Sequence, residues 1–255
     1  EKIKNNKELS FLHSGATGDL IYTLPVIKYL SKTHKCNLYV NPNKPLVKVS
    51  SDNFSQVLLT EHIFNMLMPL LKSQKYIQKA ERYNNQEIDI NLDVIRDLPI
   101  NFQTDCLRYA FHVAGIQPDL SLPYLHAEPH ESITNKIVIH RSFRYRNHFI
   151  NYKFLNDYKN LLFVGMEDEY KDLRKQVSNL EFYNCKNFLE MAQIIKSSKF
   201  FIGNQGIGYA IAEALKVHRL LEGNPDFPVI FPIGGKSYDF YHQIHFESFF
   251  KKLNA

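Results

Sequence analysis

Tryptophan is absent from this 255-residue chain, and cysteine occurs only at Cys36, Cys106 and Cys185. Three thiols at those spacings make neither a metal knuckle nor a disulfide framework, which points to reduced thiols in a cytoplasmic-type compartment. Long apolar runs are missing as well. Nothing approaches the roughly 18 residues that cross a bilayer, and the opening EKIKNNKELS has no apolar core of a secretory signal. This excludes an integral membrane segment and leaves only peripheral contact with a membrane surface open. Concentrated charge of one sign is also lacking. The formal net charge of +5 suits an anionic ligand, but the lysines are scattered, which argues against nucleic acid as a partner. The eleven histidines include no HExxH and no paired ligand spacing, so no metal is expected.

Aromatic packing falls instead to 19 Phe and 15 Tyr. Residues 9–13 (LSFLH) read as a strand. Residues 19–33 read as a helix on the spacing of Leu20, Ile21, Leu24, Ile27 and Leu30, with Pro25 placed in its early turns. CNLYV (36–40) is a strand, QVLLT a short strand, 61–80 a long helix rich in Leu, Met and Lys, and EIDINLD (87–93) a strand. TDCLRYAFHVAG (104–115) reads as a helix ended by Gly115.

Pro118, Pro123 and Pro129 then interrupt all periodicity between 116 and 136. After this linker the pattern restarts with strands at 136–140, 161–165, 181–184 and 199–203. Helices are expected at 167–177, 187–198 and 209–217, the second opened by a capping-box pattern of Asn187 and Glu190. RLLEG (219–223) reads as the final strand, and the tail 237–253 has aromatics at helical spacing. Strands alternating with helices predict α/β architecture with parallel sheets. The restart predicts two Rossmann-like domains, 1–125 and 126–255, facing across a cleft at the carboxyl ends of their strands.

Three stretches carry chemistry. HSGATGDL places Gly15 and Gly18 in a strand-to-helix turn, with Asp19 behind them. Asp19 is either a helix-start carboxylate that favours the dipole or a general base at the cleft edge. A dinucleotide fingerprint fits poorly, because Ile21 stands where a third glycine would fall and no acidic residue ends the next strand. Second, Arg141, Arg144 and Arg146 follow directly on a strand, where guanidinium groups either suit phosphate oxygens or make a basic surface loop with one or two structural ion pairs. Third, FFIGNQGIG runs a strand through Asn204, Gln205, Gly206, Ile207 and Gly208 into an alanine-rich helix. Such a glycine approach to a helix N-terminus is either an anion site or a tight turn that lets a helix with small Ala210, Ala212 and Ala214 pack closely.

GDLIYTLPVIKYL resembles the N-terminal motif of glycosyltransferase family 9, the ADP-heptose:lipopolysaccharide heptosyltransferases, at Gly18, Asp19, Thr23, Leu24 and Pro25. NFLEMAQIIKSSKFFIGNQGIGYAIAEAL is similar to that family's C-terminal segment. Asn204 and Gln205 stand where the family has Asp and Thr or Ser, and Tyr209 stands where it has His. The resemblance implies a GT-B-like fold and metal-independent, inverting transfer of a sugar from a nucleotide-diphosphate donor to a glycan or lipid-linked hydroxyl. It needs no cofactor beyond the nucleotide-sugar co-substrate. It implies that Asp19 is the general base and that Gly206 lies on the donor side. Gly15, Gly18, Arg141, Arg144, Arg146, Asn204, Gln205, Ile207 and Gly208 complete the expected substrate contacts. Two other readings remain: a nucleotide-sugar binding protein of the same fold without transfer, and a Rossmann-type NAD(P) oxidoreductase.

Overall fold

The computed structural model describes residues 7–45, 57–97 and 105–255. The chain forms two compact units. The described residues up to 97 pack with Cys106–Asp119, and Leu120–Ala255 form the second unit.

In the first unit, β1 (Glu8–His13), β2 (Lys35–Val40), β3 (Lys79–Arg82) and β4 (Ile90–Asn91) make a parallel sheet in the order β3-β2-β1-β4. β1 is the central strand, and its Leu9, Phe11 and His13 are buried. α1 (Thr17–Leu30) follows it, with nine of its residues from Leu20 to Leu30 buried. A helix apolar on nearly all sides belongs inside the fold rather than on its surface. It starts two residues earlier than its periodicity suggests, so Pro25 is mid-helix rather than in an early turn. α2 (Glu61–Lys72) is capped by the Thr60 hydroxyl, which accepts from the Ile63 amide at 3.3 Å.

The run 61–80 is therefore not one helix. Its last residues enter β3, which the lysine-rich texture conceals. The segment 87–93 pairs only at Ile90 and Asn91 before a 3-10 turn over Leu92–Asp97. Of 104–115, a 3-10 turn covers Cys106–Arg108 and α3 covers Tyr109–Ala114, ended as expected by Gly115 in the left-handed region. The start of the strand expected at 56–60 lies outside the described residues. Its remainder makes a single antiparallel bridge, Val57 to Pro45.

The second unit contains β5 (Ile137–His140), β6 (Leu161–Val164), α4 (Glu167–Arg174), β7 (Glu181–Tyr183), α5 (Phe188–Lys196), β8 (Phe200–Asn204), α6 (Ile207–Leu215), β9 (Arg219–Glu222), β10 (Ser237–Phe240) and α7 (Gln243–Asn254). All six strands are parallel, in the order β10-β9-β8-β5-β6-β7. Counted along this unit, that is the doubly wound order of six, with its reversal between β5 and β8. One face of the sheet is covered by α7, whose Phe246 stacks on Phe240 at 4.1 Å and whose Phe250 meets Phe154 at 5.3 Å. The tail thus packs on the body, but its first residues form β10, so RLLEG is not the last strand. Tyr124 and Leu125 of the proline-rich segment both donate to the Ala214 carbonyl and run along this unit. The three cysteines are unpaired thiols.

Candidate functional site

Chains that fold into open parallel sheets bind ligands outside the carboxyl ends of the strands, where the strand order reverses. In the first unit this place lies between β1 and β4. Ser14, just beyond β1, donates its amide to Asp93 Oδ1 at 2.9 Å, and its hydroxyl makes a short hydrogen bond to Oδ2. Lys44 donates to the same Oδ2 at 3.0 Å. Burial alone would push the Asp93 carboxyl up. The charge of His13, both Ser14 donors and Lys44 outweigh it and hold the carboxyl below its ordinary range. Gly15 has φ +109°, and a Cβ there would lie 2.9 Å from that of Leu59, so only glycine fits.

This frame fixes the backbone that enters α1. Gly18 and Asp19 are half-buried in its first turn, and Ala16 caps it without a side-chain bond. The helix N-terminus favours a carboxylate at position 19. Asp19 also reaches Cys106 electrostatically. The Cys106 thiol is pushed up to about 12, first by burial and then by the Asp19 charge.

In the second unit the strand reversal brings together the ends of β5 and β8. Asn204, the last residue of β8, is fully buried. Its Oδ1 accepts the Ser142 amide at 2.9 Å and the Ser142 hydroxyl at 3.3 Å. Its Nδ2 donates to the carbonyls of Ser142 at 3.0 Å and Arg144 at 2.6 Å. Gln205 is buried, Gly206 and Ile207 are half-buried, and Gly206 leads into α6 through an extended backbone. The first amides of that helix have no acceptor within it. Gly208, in its first turn, presses on His140: a Cβ there would stand 2.5 Å from the imidazole Cγ.

The three arginines divide into two roles. Arg141 turns inward and forks onto Glu222, with Nε to Oε2 at 2.7 Å and Nη2 to Oε1 at 2.8 Å. Glu222 also accepts from the Tyr152 hydroxyl at 2.8 Å and the Asn147 amide at 2.7 Å. Burial would lower the Arg141 pKa, but Glu222 and its surroundings raise it, so the guanidinium stays charged in the interior. Arg146 clamps its own loop, donating to the Ser142 carbonyl at 2.9 Å and to Asp172 at 2.5 Å. Arg144 is exposed. Among the described residues its guanidinium meets Tyr145, by a 2.8 Å bond to the hydroxyl and by lying 4.9 Å over the ring. Of the three cations placed after β5, Arg144 alone faces outward without an acidic partner among the described residues.

The sequence points to the ends of β1, β5 and β8, and the structure adds two residues that hold the backbone there, Asp93 and Glu222. Asp93 closes a segment read only as a strand, and Glu222 closes another. For Glu222 the available signal was an acidic residue ending a wholly buried strand; Asp93 is one of three acidic residues in EIDINLD, and nothing in the sequence sets it apart. His140 and Ser142 flank Arg141 and carry no motif of their own in the sequence. Tyr209 is buried beside Phe201, with its hydroxyl 3.5 Å from Glu213, and points into the core. Among the described residues, no group of three or more His, Cys, Asp or Glu side chains is placed to hold a metal ion.

No protein-family model and no curated protein sequence matches the chain. Solved structures do. One is a family 9 glycosyltransferase from Veillonella parvula, at 12% identity, covering 92% of this chain and 86% of that one with TM-score 0.60. A second is the E. coli heptosyltransferase WaaC with ADP, at 10% identity, covering 96% and 99% with TM-score 0.64. A third is the dodecameric iron-containing heptosyltransferase TibC with ADP-D-beta-D-heptose, at 14% identity, covering 92% and 63% with TM-score 0.57. At these identities the likeness establishes the fold: two Rossmann-like parallel-sheet units of the GT-B kind, as in the family 9 heptosyltransferases.

Proposed function

We propose that the chain is a glycosyltransferase that moves a sugar from a nucleoside-diphosphate donor to a hydroxyl of a glycan or lipid-linked acceptor, with inversion. One observation carries the reading: the glycine-approached N-terminus of α6 opens at the strand reversal of a doubly wound sheet, beside a loop that presents Arg144. The amides of the first turn of α6 and the helix dipole suit a diphosphate. Arg144 adds a charge that can fork onto phosphate oxygens. Both would stabilise negative charge growing on the leaving diphosphate.

Asp19 is the general base in this reading. It accepts the acceptor's hydroxyl proton as that oxygen attacks the anomeric carbon, and the bond to the diphosphate oxygen breaks. A positioned base is worth typically 10²–10⁴-fold in rate. The Ser14–Asp93–Lys44 frame sets the backbone from which α1 starts. Arg141 and Arg146 hold the β5 loop in shape rather than touching the donor. Asn204 does the same, and its amide answers the departure from the acidic residue of family 9. An acid there could not donate to two carbonyls. The asparagine therefore argues for a built loop and not for a lost activity.

The transfer needs no metal in this scheme, because helix amides and Arg144 supply the positive charge. No helix among the described residues is long and apolar enough to cross a membrane. A lipid-linked acceptor would then be met at a membrane surface, in a reducing compartment that keeps the three thiols unpaired. The test is a screen of nucleoside-diphosphate sugars by thermal shift, followed by assay of nucleoside-diphosphate release with candidate acceptors. A donor at 100 times its Kd stabilises by about 2.7 kcal/mol. Binding without release under any acceptor would favour the inactive binding protein, and selective binding of NAD(P)H would favour the oxidoreductase.

A further inference from the structure

His140 is an imidazole with a packing partner on nearly every side and no hydrogen-bond partner at Nδ1 among the described residues. It is only 4% exposed. Glycines make the space it occupies. A Cβ on Gly208 would lie 2.5 Å from its Cγ and 2.7 Å from its Cβ, and one on Gly165 would lie 3.2 Å from its Cδ2. One on Gly203 would lie 2.6 Å from its carbonyl oxygen. The remaining edge of the ring looks elsewhere. A Cβ built on Gly206 meets Cε1 at 3.4 Å and Nδ1 at 3.9 Å, with the Ser142 hydroxyl 3.6 Å from the same point. Nδ1 is therefore directed at the residue that opens α6.

A histidine kept only for packing would be replaced without loss by an apolar side chain of similar size, since an unpaired buried nitrogen is a standing cost. Glycine inside a helix adds a further one at Gly208. Both costs fall at the helix N-terminus that faces the strand reversal. We propose that His140 is a ligand-contacting residue of the diphosphate site. Its imidazole hydrogen-bonds a phosphate oxygen docked on the first turn of α6 and takes up a proton from solvent as that phosphate docks. This deepens the nucleoside-diphosphate reading above and rests on it.

The electrostatics agree. Burial holds the imidazole down at about 4, so it is neutral near pH 7. The glycines that border it are Gly165 beyond β6, Gly203 of β8, and Gly206 and Gly208 around the start of α6, with the Ser142 hydroxyl beside Gly206; none of these titrates. Of the charges on the surrounding loop and α4, Arg141 is matched by Glu222 and Arg146 by Asp172, Arg144 faces outward, and Glu169 accepts the amides of Phe143 and Met166. None of them is a cause of the shift, which comes from burial opposed only by the residue's own backbone. An arriving phosphate would be the first charge to act on the ring, and it favours the imidazolium.

The experiment is calorimetric titration of the whole chain with ADP, UDP, GDP and inorganic pyrophosphate at pH 7, in buffers of different ionisation enthalpy. Wild type should take up more protons per ligand than His140→Gln, by as much as one. The variant should bind about tenfold or more weakly, as expected for losing a charge-assisted hydrogen bond. Equal proton counts and equal affinities would overturn the inference while leaving the donor reading intact. Pyrophosphate binding with a His140-dependent proton, but no nucleotide binding, would keep the anion site and remove the nucleotide. No binding by any probe would overturn both. If His140→Gln does not fold, 15N spectra of the wild-type imidazole decide: both ring nitrogens should move to imidazolium positions on adding the ligand, and neutral shifts throughout would refute the proposal.

Discussion

Asn204 holds Ser142 by both faces of its backbone, accepting the amide at 2.9 Å and donating to the carbonyl at 3.0 Å. A carboxamide does both because it carries an acceptor oxygen and a two-donor nitrogen at the same reach, whereas a carboxylate only accepts. Asn204→Asp keeps the acceptor but turns a buried carboxylate toward the carbonyls of Ser142 and Arg144. We expect it to be destabilised by about 2–4 kcal/mol, and by more than Asn204→Ala. Urea denaturation of both variants checks this. Wild-type stability in Asn204→Asp would show that the pin holds nothing.

Arg141 and Glu222 form a buried ion pair, 5% and 0% exposed. Removing one partner leaves the other charged and alone, so Arg141→Ala should lose about 3–5 kcal/mol. Replacing both together, as Arg141→Met with Glu222→Gln, should recover part of that loss, because the carboxamide removes the charge and keeps an acceptor for the buried donors of Tyr152 and Asn147. A double-mutant cycle by chemical denaturation measures it. Two mild single variants with no coupling would contradict the arrangement.

Arg144 should behave in the opposite way. It is exposed and, among the described residues, meets Tyr145, so Arg144→Ala should change stability by no more than about 0.5 kcal/mol. Nucleoside-diphosphate affinity should fall about tenfold or more, with a weaker dependence on salt. Arg146→Ala should instead loosen the loop that it clamps through Ser142 and Asp172. Calorimetry beside thermal melting separates the two variants.

Acid should unfold the protein in two stages. The folded-state pKa of His140 lies below its unfolded value, so its contribution is full above pH 6.5 and is lost as pH falls toward about 4. The lowered Asp93 carboxyl contributes above its ordinary pKa, and that part is lost at still lower pH. Glu169 works against both. Burial raises its pKa, so folding gains as it protonates. Denaturation curves at stepped pH should fall by up to about 3 kcal/mol in the first stage, and His140→Gln should flatten that stage. An unchanged acid profile in His140→Gln would contradict the buried neutral imidazole.

The fold was legible in the alternation of apolar strands with helical periods, because parallel sheets bury both faces and write themselves as short hydrophobic runs. The misreadings have physical causes. The β3 residues Lys79–Arg82 include only one buried side chain, Ala80, so they look like the end of a lysine-rich helix. β10 is hidden because its aromatics continue the spacing of α7. The glycine turns read between strand and helix at Gly15–Gly18 and Gly206–Gly208 do follow β1 and β8. What composition could not reveal is direction. Arg141, Arg144 and Arg146 are one cluster in sequence, yet one forks into the interior, one clamps its own loop and one faces outward. The partners that decide this, Glu222 and Asp172, lie 81 and 26 residues away.

The central claim is that Asp19 takes the acceptor's proton in a glycosyl transfer. Once a donor is found by binding, Asp19→Asn tests it most directly, by single-turnover transfer beside donor affinity. The account predicts donor affinity close to wild type and a transfer rate lower by about 10²–10⁴-fold. Transfer at the wild-type rate would make Asp19 a helix-start carboxylate and nothing more.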